Sequence, residues 1–182
     1  MKTYDGITAE SFWLLGQNRF HNSKEFYEVN KAAINAGVIH PMHQIAEILA
    51  ENFVKIDERM NLIPSKMVSR IRRDTRFSND KRLYRENVWI MFMRPKTQWP
   101  YHPCMWFEIA PGGYSYGVGS YETTPAFMEL YRTALTERAA EFLAAARSAE
   151  ATGASFYAQQ YKRDKNPALT GQIKTYYNAK SL

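Results

Sequence analysis

Residues 70–87 hold seven Arg or Lys against three Asp or Glu and lie between apolar runs, so any fold of this chain has to bring the segment to a surface. Guanidinium groups at this density are either met by an external anion or tied down by carboxylates of the same chain, here Asp74, Asp80 and Glu86. The remaining sequence is ordinary enough to arrange itself around that requirement. Of the formal net charge of +6, residues 61–87 contribute +5, which focuses a positive potential wherever the segment is exposed.

A chain of 182 residues that is 45% hydrophobic suffices for one full core, so residues 1–182 are read as a single domain. Aromatic residues make up 14% of the chain, enough to fill that core and to line a pocket or an interface, because Tyr and Trp tolerate half-burial. The lone Cys104 forms no internal disulfide, the first residues lack a signal-like apolar run, and no window is apolar enough to span a bilayer. These features predict a cytoplasmic protein without a membrane partner.

The apolar periodicity changes twice along the chain. Thr8 caps a first helix containing Phe12, Trp13 and Leu15, with a break expected at Gly16. Asn22 stands three residues before Glu25, a capping-box-like start for a second helix running through Phe26, Val29, Ala33 and Ile34 to Gly37. Pro41 suits the first turn of a third helix, with Met42, Ile45, Leu49, Phe53 and Ile56 on one face. The period then becomes strand-like: weakly over Met67–Arg72, and clearly in Val88–Met93, Cys104–Ile109 and Tyr114–Tyr121, which are separated by Pro and Gly turns. Helical spacing returns after Thr124-Pro125 and runs to about Ala149, and Asn166–Tyr177 fits a terminal helix. Strands joined by turns and short loops favour an antiparallel sheet, so the fold class is α+β, an antiparallel sheet packed with N-terminal and C-terminal helices.

The run Arg70-Ile-Arg-Arg-Asp-Thr-Arg-Phe-Ser-Asn-Asp-Lys81, followed by Tyr84-Arg85, resembles the signature of the domain-of-unknown-function family numbered 2461, a widespread group of microbial proteins. The resemblance extends to Phe12–Leu15 with Asn18, to Phe26–Lys31, to Phe107–Gly113 and to Gly117-Val-Gly119. Two positions depart from it: Leu83 stands where relatives commonly have Pro, and Glu25-Phe26 where they often have Trp-Phe. A less rigid approach to Tyr84 is expected here, and no Trp-lined pocket wall at that point. The resemblance implies membership of the family and brings no activity with it.

Candidate ligand-binding residues are Arg70, Arg73, Arg76, Ser78, Lys81, Tyr84, Arg85 and Glu108. Arg76, Ser78 and Lys81 lie in or beside a loop, where a guanidinium fork, a hydroxyl and an ammonium fit around a phosphate or carboxylate. If the segment is extended around residue 71, Arg70 and Arg72 share one face and Arg73 takes the other. Glu108 shares its strand face with Trp106, placing it to orient a ligand or to pair with an Arg of the basic segment. Against this stands a structural reading in which Asp74 and Asp80 pair with the same bases and fix the loop. The sequence leaves both open: recognition of a small anionic ligand through the Arg/Lys-rich loop, or a structural or protein-interaction domain with an internal salt-bridge network.

Other chemistry has less support in the residues. Pro111-Gly-Gly113 and Gly117-x-Gly119 match neither phosphate-binding fingerprint and fit turns and close packing. His40 and His43 lack a third ligand in any metal motif, so no metal and no cofactor are expected, and Cys104 reads as a small buried residue. Specific nucleic-acid recognition is not expected either, since Asp74, Asp80 and Glu86 interrupt the densest positive charge. No pairing of titratable groups identifies a reaction.

Overall fold

The computed structural model of the protein describes residue 4 and residues 6–182, and the chain divides into two compact units. The first comprises the chain through Pro95 together with Cys104–Val118, and the second comprises Lys96–Pro103 and Gly119–Leu182. The fold class is α+β: N-terminal helices, then an antiparallel sheet of three strands in the order β1-β2-β3, then C-terminal helices. Among the described residues no helix is long and apolar enough to cross a membrane.

In the first unit, α1 (Ala9–His21) starts at Thr8, whose hydroxyl accepts from the Ser11 amide at 3.2 Å. The helix runs through Gly16, because a single glycine costs only about 1 kcal/mol in a helix whose other face is anchored by Leu15. It ends at Asn22, held in the left-handed conformation at φ 49°. The cap of α2 (Lys24–Ile34) is therefore Ser23, which accepts from the Phe26 amide at 3.1 Å, and not Asn22.

No break follows at Gly37. A π-helical turn over Asn35–Ile39 joins α2 to α3 (His40–Ile56) as one continuous rod. The wider turn sits just ahead of Pro41 and accommodates the missing proline N–H without ending the helix. Glycine at 37 suits the packing for a different reason: a Cβ there would lie 2.5 Å from the Ser11 hydroxyl oxygen, so α1 closes onto the π turn without displacing that side chain.

The apolar segment expected as a strand around Met67–Arg72 is instead a short helix, α4 (Pro64–Met67), and an extended stretch. That stretch meets β1 (Val88–Phe92) at the bridge Val68↔Ile90 and at Ser69, whose hydroxyl accepts from the Trp89 amide at 3.1 Å. Strands β1 and β2 (Cys104–Ala110) pair antiparallel with Val88 opposite Ile109 and Trp89 opposite Glu108. A tight turn through Gly113, at φ 134°, leads into β3 (Gly113–Gly119). Gly117 leaves room for the Trp106 indole, since a Cβ at that position would come within 3.0 Å of the ring.

Alternation along the strands gives the sheet two different faces. Val88, Ile90, Phe92 and Ile109 enter the core with Leu15, Ile34, Val38, Met42 and Ala46 from the helices, and Phe53 of α3 packs on Phe92 at 4.2 Å. Trp89 and Glu108, a directly paired couple, belong to the opposite face.

In the second unit the helical stretch after Thr124 divides at Arg138 into α5 (Pro125–Glu137) and α6 (Ala139–Ala151), and the terminal helix α7 is confined to Gln172–Tyr177. Residues from Asn166 to Gly171 remain outside it because Gly171, at φ 67°, is not helical. Tyr176 is the buried centre, with Phe142 and Phe156 edge-on at 4.9 and 4.6 Å and its hydroxyl donating to Glu150 at 3.0 Å. Arg132 ties α5 to the end of the chain by donating to the Tyr177 and Ala179 carbonyls at 3.0 and 2.8 Å.

The contact at Gly37 yields a double-mutant test. Gly37→Ala alone overpacks the α1 interface and costs about 1–3 kcal/mol despite the better helix propensity of Ala. In a Ser11→Ala background the same change becomes neutral or stabilising, because only the Ser11 Cβ, 3.5 Å away, then faces the new methyl. Urea unfolding of the four proteins checks the cycle, and purely additive effects would refute the packing account.

Candidate functional site

The basic segment folds as a narrow hairpin. Arg73 donates its amide to the Leu83 carbonyl at 2.7 Å, and Arg85 donates its amide to Ile71 at 3.0 Å, with Arg72 and Tyr84 paired between them. Ile71 and Tyr84 point into the core, where the Tyr84 ring stacks on Tyr27 at 4.9 Å, while Arg70 and Arg72 remain exposed. Residues 74–82 form the loop between the two arms.

Within that loop the carboxylates take the cations at close range. Asp74 receives Arg76 in a fork, Nε at 3.0 Å and Nη2 at 2.6 Å, and the ion pair holds the Asp74 carboxyl at about 2, below the usual carboxylate range. Asp80 is the hub. It accepts from Arg82 Nη2 at 2.8 Å and from Arg73 Nη1 at 2.5 Å, and Arg19 of α1 reaches it at 3.5 Å. Hydrogen bonds from Arg82, and then from Arg73, hold its carboxyl well below the ordinary range. Ser78 accepts from Arg73 Nη2 at 3.4 Å, and Lys81 donates to the Thr75 carbonyl at 3.0 Å. The Arg/Asp network expected from the sequence is thus present.

Between this loop and the sheet face carrying Trp89 and Glu108 lies an open cleft of about 540 Å³. Arg19, Arg73 and Arg85 line it with Asp80, Glu86 and Glu108, and Tyr84, Asn87, Trp89 and Ala110 complete the wall. The Arg85 guanidinium lies over the Trp89 ring, 4.4 Å from its centre, in a cation–π arrangement that fixes both groups. The Arg19 Nη1 is shut off from solvent without a hydrogen-bond partner, and the Glu108 carboxylate has no hydrogen bond or ion pair among the described residues.

The sequence-based candidates therefore separate into two groups. Arg73, Tyr84, Arg85 and Glu108 come together around the cleft with Asp80. Arg70, Arg76, Ser78 and Lys81 do not line it: Arg76 and Lys81 are spent on the loop, and Ser78 supports Arg73. Arg19 and Trp89 were not singled out by their local pattern. One is a helix residue whose neighbour Asn18 carries the resemblance, and the other sits inside an apolar strand run.

Asn22 links α1 to the loop. Its side-chain oxygen accepts from the Leu83 amide at 2.6 Å, and its backbone turns the chain out of α1. This polar contact is part of a stripe on α1 formed by Ser11, Leu15, Asn18 and Asn22, in which the Asn18 amide is fully buried and makes no hydrogen bond.

Two expected outcomes follow from these contacts. Asn22→Gly keeps the left-handed turn but removes the acceptor for Leu83, costing about 1–2 kcal/mol in denaturant unfolding, and Asn22→Ala costs more because it adds backbone strain. For Asp80 the depressed carboxyl contributes stability that is fully present above its unfolded value near pH 4 and is lost as pH falls through the lower folded value. The stability gap between the wild type and Asp80→Asn is accordingly widest near neutrality and narrows below about pH 4. Chemical denaturation midpoints between pH 7 and pH 2 measure it, and a gap constant with pH would refute the assignment.

The chain matches the family described as Conserved hypothetical protein (DUF2461) over residues 10–182. No curated protein and no solved structure matches the chain. The matched span includes α1 from its second residue, the basic hairpin and the strands β1–β3, hence every residue around the cleft. The protein belongs to the DUF2461 family.

Proposed function

We propose that the cleft binds a small anionic molecule bearing a carboxylate or phosphate, held by Arg19 and Arg73 with Arg85 at its side. The observation that carries this reading is Arg19 in the cleft wall, whose Nη2 meets Asp80 while its Nη1 has no hydrogen-bond partner. A buried donor without a partner costs about 1–3 kcal/mol, and a charged oxygen entering beside it recovers that cost through a charge-assisted bond. The Arg19 side chain lines the cleft and is 14% exposed, and its Nη1 is shut off from solvent, so binding requires the guanidinium to turn that nitrogen toward the ligand oxygen. Asp80 then acts as a positioning residue, since it holds Arg73 and Arg19 at the cleft and leaves the Arg19 Nη1 without a partner. The reading is one of recognition and assigns no reaction.

A second reading, in which the Arg/Asp cluster only holds the loop and the domain meets a protein partner, is favoured by the hub at Asp80 and by exposed rings. Phe77 at the loop tip is 94% exposed, and Tyr114 and Tyr116 of β3 are exposed as well.

Thermal unfolding against inorganic phosphate, phosphate esters and small carboxylates separates the two. A ligand at a hundredfold excess over its Kd stabilises the protein by about 2.7 kcal/mol. Arg19→Gln is expected to weaken binding at least tenfold, about 1.4 kcal/mol, whereas Arg76→Ala leaves it unchanged because Arg76 is spent on Asp74. A flat response to all ligands, with Arg19→Gln altering only the midpoint of unfolding, would leave the structural reading in place.

A further inference from the structure

We infer that the molecule recognised by the cleft is a zwitterion, carrying an amino group for Glu108 besides the acid group held by Arg19 and Arg73. This rests on the anion-binding reading above and deepens it. The inference comes from how the charges around the cleft are committed. Three guanidinium groups and three carboxylates line it, so the cavity is not a uniformly positive basin. Asp80 is used up by Arg73, Arg82 and Arg19. Arg85 is stacked on Trp89, and that ring face is therefore covered. Glu108, the carboxylate that β2 contributes to the cleft, is half-buried on the rigid β1–β2 pair, opposite Trp89 in register, and makes no hydrogen bond or ion pair among the described residues.

A half-buried carboxylate is a poor neighbour for a ligand that is only anionic, because like charges repel more strongly where water is partly excluded. The same carboxylate is a strong acceptor for an ammonium group, which has three donors and accepts none. The cleft is thus lined on one side by an Arg of α1 whose Nη1 lacks a partner and on the other by a Glu of β2 that lacks one, across a cavity large enough for a molecule bearing both complementary groups. A strand is a stiffer support than the loop, so Glu108 is also the better placed of the carboxylates to discriminate between ligands. Glu86, the other carboxylate without a hydrogen bond, sits on the loop side and is exposed.

The test uses matched ligand pairs that differ only by the amino group: propionate against alanine and β-alanine, and ethyl phosphate against 2-aminoethyl phosphate. Binding to the full chain is measured by isothermal titration calorimetry. The expected result is that at least one amino-bearing member binds tenfold or more tightly than its partner lacking the amine. Glu108→Gln is expected to abolish that preference while leaving the amine-free ligand bound equally well or better. Arg19→Gln weakens both members of the pair. Glu108→Thr, a change suited to a strand, provides a second variant if the glutamine protein folds poorly. Equal or tighter binding of the amine-free ligands to the wild type would overturn the zwitterion and leave anion recognition standing. Binding of neither member of any pair would overturn both.

Discussion

The Asp80 carboxylate is the contact on which the arrangement of the first unit's basic surface depends. Its two oxygens collect Arg82 and Arg73 from the hairpin and Arg19 from α1, so one acidic group brings together cations that are distant in sequence. Without it the loop would hold a dense set of like charges at close range, and each would seek solvent. The ion pairs on exposed side chains, such as Arg76 with Asp74, contribute little to stability. The Arg73 and Arg19 contacts differ because these side chains are largely covered, at 21% and 14% exposure, and their partner restricts where they point. The network therefore matters more for geometry than for the free energy of folding.

That geometry is supported from below by two other contacts. Asn22 holds the Leu83 amide, and the Arg73 and Arg85 amides pair across the hairpin, so the loop cannot slide along α1 without losing backbone bonds. Beneath the hairpin, Ile71 and Tyr84 are buried in the same core as Ile90 and Ile109. Arg85 thus stands directly beside a residue locked into packing, Tyr84, and Arg73 lies two residues beyond another, Ile71. Charged groups are held on a rigid frame in this way, by buried residues close in sequence that anchor the backbone carrying them.

The strands of the sheet were legible because β-branched and aromatic runs stopped by Pro and Gly have few other interpretations, and the alternation in Cys104–Ile109 put Glu108 on the face opposite Ile109, where it is found. Pairings of Asp74 and Asp80 with the bases were legible too, since opposite charges two residues apart meet readily in a tight loop. Helix ends were harder to read. Gly16 and Gly37 look like stops, yet one is outweighed by packing of the rest of α1 and the other is small because α1 lies against it. Asn22 looks like a cap for α2, but its side chain is occupied by an amide sixty-one residues away, a contact that no local pattern announces.

Arg19 shows why the cleft itself was not legible. On α1 it is one basic residue in the last turn, a position where a cation is favoured by the helix dipole whatever else it does. Only the hairpin's arrival at the end of α1 gives it Asp80 as a neighbour and leaves Nη1 without one. Trp89 is similar: its place in an apolar strand marks it for a core, yet the strand's period turns it away from Ile90 and toward Arg85. The residues that neutralise one another adjacent in sequence, Arg76 with Asp74 and Arg82 with Asp80, are the ones a sequence reveals most readily. Recognition is better served by the charges that local partners leave incompletely satisfied, and in this chain those are supplied by a helix and a strand brought together by the loop between them.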